Sequence, residues 1–211
     1  MQWNVPLSKT CIILLLLPQL MACAAKVQKE QQAILDSAVS QCDFATAVAT
    51  PQPTESGFQV MINNLSPACD SFTQGKSYYA IVPIKPDSAI RINSEVYGPD
   101  LYFKPIIRFY DAHFNAGEKL IPQLQPNGKN YFWQERAIQS IVMVPADTAY
   151  LLIYTSPTFQ QTWDTFVSFP GHWDSVKQGD HYVQRWTAEQ KSTFNRAYTG
   201  MLTINYVDKS Q

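Results

Sequence analysis

The stretch Ala89-Ile90-Arg91-Ile92-Asn93-Ser94-Glu95-Val96 decides the fold class. Ile90, Ile92 and Val96 alternate with Arg91, Asn93 and Glu95. Successive side chains on a strand point to opposite faces, so one face here is apolar and the other wet. That is the pattern of a half-buried strand. Outward from it lie further runs of strand length. Upstream are Phe58 to Asn63 and Ser77 to Lys85, the latter holding Tyr78-Tyr79-Ala80-Ile81-Val82. Downstream, Leu101 to Asp111 is rich in Tyr, Phe and Ile but contains Pro105. Proline removes a ladder donor, which predicts an edge position or a bulge there. Ile138 to Val144 and Tyr150 to Thr155 are continuous apolar runs, which predicts central strands buried on both faces. Near the C-terminus Leu202, Ile204 and Tyr206 alternate with Thr203 and Asn205.

Pro, Gly, Asn and Asp clusters separate these runs, and strong amphipathic helices between them are lacking. The pattern predicts an all-β chain: an antiparallel β-sandwich over residues 57–211. One stretch resists it. Phe159 to Phe194 holds Trp163, Trp173 and Trp186 with few clean alternations. It reads as a long decorated loop with a turn of helix around Thr187 to Arg196. There Thr187-Ala188-Glu189-Gln190 resembles a capping box.

Residues 1–22 carry one charged side chain, Lys9, then the apolar run Cys11 to Leu17, ended by Pro18. A membrane-crossing helix needs about 20 apolar residues. This run is far shorter and reads as a secretory signal peptide. Leu20-Met21-Ala22-Cys23 resembles the lipobox of bacterial lipoprotein signals. That resemblance implies that Cys23 becomes the lipidated first residue of the mature chain; the alternative is a soluble secreted chain with an ordinary thiol at Cys23. Ala24 after the cysteine resembles the class sorted to the outer membrane. Residues 23–56 then read as a tether or short helix followed by a loop. Ala33, Ile34 and Ala38 form a weak apolar stripe at helical spacing, and Pro51, Pro53, Thr54 and Ser56 mark the loop.

With Cys11 in the leader and Cys23 lipidated, Cys42 and Cys69 remain as an even pair in an oxidising compartment. The pair reads as a disulfide; two buried free thiols are the other reading. No C-x-x-C spacing occurs to suggest a redox motif or a zinc site.

Composition excludes several functions. Sixteen Lys+Arg against seventeen Asp+Glu give a net charge of −1, with no basic run for nucleic acid. Apolar residues at 45% leave ample core material, against a disordered tail. Catalytic motifs are missing. Gly75-Lys76-Ser77 lacks the upstream glycine of a phosphate loop, where Asp70 stands, and precedes a strand rather than a helix. Neither a G-x-S-x-G elbow nor H-E-x-x-H is present. His172, Asp174, Asp180 and His181 cluster in sequence, but their spacing fits no ligand motif, and they read as a solvated aromatic loop. The sequence therefore predicts no enzyme, no cofactor and no metal. Exposed tryptophans suit ligands that are part apolar and part polar, and sugars are such ligands. Trp163 and Trp173 are the candidate stacking faces; filling the sandwich core is the other reading of each.

Several segments stand in the order found in the maltose operon periplasmic protein family. They are Gly75-Lys76-Ser77-Tyr78-Tyr79-Ala80, Ser94-Glu95-Val96, Phe103 to Asp111 with Pro105, Pro145, Tyr150 to Ser156, and Gly200-Met201-Leu202. Over about residues 40–207 the chain resembles that family. It departs at Tyr198, where the family commonly has His, and across residues 159–195. The resemblance implies a non-enzymatic, periplasm-facing lipoprotein that assists uptake of maltose- or maltodextrin-like carbohydrate, by binding sugar or a transport component. A structural or assembly lipoprotein with protein partners only is the alternative.

Overall fold

The computed structural model describes residues 25–73, 75–97, 101–126, 137–156, 163–169, 172–178, 181–187 and 190–208. The signal segment, Cys23, Trp133 and Asp180 lie outside the described residues. A helix, α1, covers residues 25–37. In chain order the strands are β1 (Gln52–Pro53), β2 (Gly57–Ile62), β3 (Ala68–Cys69), β4 (Ser77–Pro83), β5 (Ala89–Tyr97), β6 (Leu101–Phe103), β7 (Ile106–Tyr110) and β8 (Ala116–Leu120). They continue with β9 (Gln125–Pro126), β10 (Ala137–Met143), β11 (Tyr150–Tyr154), β12 (Trp163–Phe169), β13 (His172–Gln178), β14 (His181–Thr187), β15 (Gln190–Ala197) and β16 (Gly200–Val207).

Two sheets make an all-β, sandwich-like body. One runs β1-β2-β16-β5-β6-β15-β12, with β10 also paired to β5 and β9 to β10. The other runs β3-β4-β11-β7-β8. Among the described strands, pairing is antiparallel except between β15 and β6, and two isolated bridges of the segment before β1 are parallel. The alternation of β5 sets its register: Ile90 and Ile92 are buried, and Arg91 and Asn93 are partly exposed. They pack in one core with Phe58, Val60 and Ile204 of their own sheet and with Val82, Phe109, Leu151 and Ile153 of the other. Ser94 continues the buried row as a polar residue, and its hydroxyl donates to the Phe103 carbonyl at 2.7 Å. That bond satisfies a group whose burial alone would cost energy.

The inner strands of the second sheet, β4, β11 and β7, are buried on both faces. Tyr79, Ile81, Leu152 and Tyr154 point away from the sandwich core and are covered by Phe44, Val48, Phe72 and Phe114. Phe44 and Val48 belong to a strap, residues 40–53, while Phe72 and Phe114 come from other loops. Ser40 bridges Ala68, Val48 bridges Ile81, and β1 pairs with β2. The disulfide Cys42–Cys69 fastens this strap to β3. β11 therefore has both faces buried, as its apolar run predicts. β10 does not: Ile138 and Val142 are buried, whereas Ile141 and Met143 are about half exposed. Among the described residues, nothing covers its outer face as the strap covers the other sheet. Pro105 falls in the short break between β6 and β7, where the chain leaves one sheet for the other.

α1 lies across one end of the body. Of the stripe Ala33-Ile34-Ala38 only Ala38 packs against the core: Ala33 and Ile34 are exposed, and Leu35 enters the core instead. Gln28 and Gln31 share the Leu35 side. Gln28 donates to the Arg196 carbonyl at 2.6 Å, and the amide N–H of Tyr198 donates to Gln31 Oε1 at 3.1 Å. Polar residues at positions i and i+3 with a leucine at i+7 are a docked face that hydropathy alone conceals. None of the helices among the described residues is long and apolar enough to cross a membrane.

Candidate functional site

The described residues between Trp163 and Asn195 are strand, not loop, and among the described residues the helical turn expected around Thr187 to Arg196 is absent: β14 runs to Thr187 and β15 occupies 190–197. Pairing with β12 takes the backbone hydrogen bonds that a helix would have used. Phe194 is then buried beside Tyr102, Leu124 and Ile138, with Phe166 packed against them. β12 pairs with β15 from Trp163↔Asn195 to Phe169↔Gln190, with an irregularity between Val167 and Phe169. β13 pairs with β14 from His172↔Thr187 to Gln178↔His181. The second register continues the first, and β13 and β14 pair with no other described strand. They form a two-stranded arm whose root is the β12–β15 ribbon.

Cross-strand neighbours define the arm's faces. One face carries Trp173 opposite Trp186, Ser175 opposite Gln184, and Lys177 opposite Tyr182. The two indole rings lie 5.3 Å apart at an interplanar angle of 56°. Trp173 is 65% exposed, Trp186 51% and Tyr182 71%. Beside the rings, Gln184 Nε2 donates to Ser175 Oγ at 2.7 Å. The other face sets Val176 against Val183 and Asp174 against Arg185. The first face is thus an aromatic platform with amide, hydroxyl and ammonium groups along it.

Of the two candidate stacking residues, Trp173 belongs to this platform. Trp163 is also exposed, at 60%, but sits on β12 at the root. Trp173 meets Trp186 and not Trp163. Two residues that sequence reading passed over, Trp186 as the partner and Tyr182, complete the face. Gly179-Asp180 is the signal that could have found them: a two-residue Gly-Asp step between runs is a hairpin mark. His172 and His181 do not converge. The register puts them at opposite ends of the arm, six residues apart along it or about 20 Å. Cys42, Cys69 and Asp70 are close together, but the two sulfurs are bonded to each other.

The root holds a partly buried ionic cluster. Asp164 receives Arg196 Nε on Oδ2 and the second guanidinium nitrogen on Oδ1, both at 2.6 Å. Lys104 Nζ lies 3.1 Å from Oδ1, and the Tyr102 hydroxyl donates to Oδ2. Burial opposes ionisation of Asp164, yet the hydrogen bonds from Arg196, Tyr102 and Lys104 outweigh it and hold the carboxyl at about 2. Burial, and then the bond to Asp164, pushes the Tyr102 phenol well above its ordinary value. A cleft of about 350 Å³ beside the cluster is lined by Tyr102, Lys104, Leu124, Gln125, Asp164 and Phe166. Because the carboxylate is consumed by its own partners, the cluster acts as a clamp joining β12 and β15 to β6 and the segment after it. Sequence gave no spacing signal for it, since its members come from three separated segments.

No family model, no curated protein and no solved structure matches the chain.

Proposed function

We propose that the chain is a lipid-anchored, non-enzymatic protein of the cell envelope that faces the periplasm and assists carbohydrate transport by holding an oligosaccharide on its arm. The observation that carries this reading is the exposed Trp173–Trp186 pair beside the Ser175–Gln184 hydrogen bond. Indole faces attract the C–H faces of sugar rings, and flanking amides and hydroxyls suit their hydroxyl rims. The leader and Leu20-Met21-Ala22-Cys23 support the anchor at Cys23 and an outer-membrane address. The family resemblance supports maltodextrins as the first ligands to try.

Titrating maltodextrins against intrinsic tryptophan fluorescence tests this. The expected result is a saturable change that weakens about tenfold or more in Trp173→Ala and in Trp186→Ala. A flat response across a panel of sugars would overturn direct binding. A second reading rests on the opposite face, where Val176 and Val183 are both exposed. An apolar pair there suits a protein partner, either a transport component or an envelope assembly. Capture of one defined envelope protein by the wild type, lost in Val176→Ser with Val183→Ser, would favour that reading.

A further inference from the structure

We infer that the arm pairs with the arm of a second copy of this chain, β14 against β14, and that the second copy completes the aromatic platform. An isolated two-stranded hairpin is marginal in water, and this one leaves both outer edges without a described strand partner. The residues of β14 suit a two-fold antiparallel match with themselves. Centred on Gln184, such a pairing sets Tyr182 of one copy opposite Trp186 of the other, twice. It sets Val183 opposite Arg185, twice, and Gln184 opposite Gln184. Aromatic pairs directly opposite each other stabilise a sheet, and no like charges meet. The corresponding match of β13 about Ser175 would set Trp173 opposite Lys177 and gain no aromatic pair. Neither strand carries a proline that would block an edge.

A two-fold axis normal to the sheet keeps each copy's faces on the same side. The product is a four-stranded sheet in the order β13-β14-β14-β13. Its platform face carries Trp173, Trp186 and Tyr182 from both copies, with each Tyr182 extending the indole pair of the other copy. The inference rests on the oligosaccharide reading only for the use of that platform; the pairing itself is independent of any sugar.

The chain from Ala24 onward holds α1, all sixteen strands and the disulfide, and serves for the test. Equilibrium sedimentation without sugar should show a mass rising to twice the monomer's with concentration. Gln184→Cys should cross-link to itself under mild oxidation, because directly opposed Cα atoms lie about 4.5–5.5 Å apart, within disulfide reach. Ser175→Cys should not, since the two copies of that position would be three strand spacings apart, about 14 Å. Both positions lie on the exposed arm, so neither substitution threatens the core. A monomer at every concentration overturns the pairing, as does cross-linking of Ser175→Cys as readily as Gln184→Cys. Dimers that ignore sugar would sink the oligosaccharide reading alone, and sugar-binding monomers would sink the pairing alone.

Discussion

Asp164 ties charge to structure most directly. Its side chain is 19% exposed and bonded to two cations and a phenol. A carboxyl held at about 2 rather than 3.8 contributes about 2 kcal/mol of stability at neutral pH. The folded value lies below the ordinary one. The contribution is therefore whole above about pH 4 and is lost as the pH falls toward about 2. Urea unfolding at pH 7 and pH 3 should show that loss in the wild type. Asp164→Asn should cost roughly 3 kcal/mol at pH 7, because it leaves partly buried cations without a counter-charge. The variant should also lose less than the wild type on going to pH 3; an equal loss in both proteins would remove Asp164 as the source. Nothing in the spacing of Tyr102, Lys104, Asp164 and Arg196 announces this cluster. The sheet creates it by setting β15 beside β6 and β12 beside β15.

Strands with a solvent-facing side were legible because alternation records burial directly. β5 and β16 show their period in the sequence, and the structure places Ile90, Ile92, Leu202 and Ile204 inward. Apolar runs were ambiguous. β11 and β10 look alike on paper, but only β11 is covered on its second face, by residues far away in sequence. The arm was illegible for a related reason: both of its faces are exposed, so no burial pattern shaped its sequence. Two predictions belong to these elements. Replacing Cys42 and Cys69 together by Ser should cost roughly 3–4 kcal/mol, the chain-entropy value for a loop of this length. It should also loosen the strap over Tyr79 and Tyr154, read as faster amide exchange at residues 44–49. Protection that survives reduction would show that the aromatic contacts alone hold the strap. Gly57 stands where a Cβ would collide with the Ile204 carbonyl of the paired strand. Gly57→Ala should therefore force β2 away from β16 and lower the urea midpoint, by about 2 kcal/mol or more, since backbone cannot yield as a side chain does. An unchanged midpoint would show that the two strands separate freely there.

At the scale of the molecule, a sandwich-like body covered on one side by the strap carries an arm that has almost no core of its own. The clamp at Asp164 and the buried Phe194 hold the root firm, while Trp173, Trp186 and Tyr182 stand in solvent. Large aromatics left exposed on such a ribbon contribute little to folding, and the proposed oligosaccharide site rests on them. α1 is described from residue 25, two residues after Cys23 in sequence, and docks by Gln28 against the Arg196 carbonyl. A lipid on Cys23 would therefore hold the arm's root close to the membrane surface. The measurement that tests the central claim most directly is calorimetry on the chain from Ala24 onward, titrated with a series of maltodextrins and other neutral oligosaccharides. The account predicts a saturable heat for at least one of them, abolished when Trp173 and Trp186 are both replaced by Ala. No heat across the series, with the arm intact and the protein folded, would contradict it.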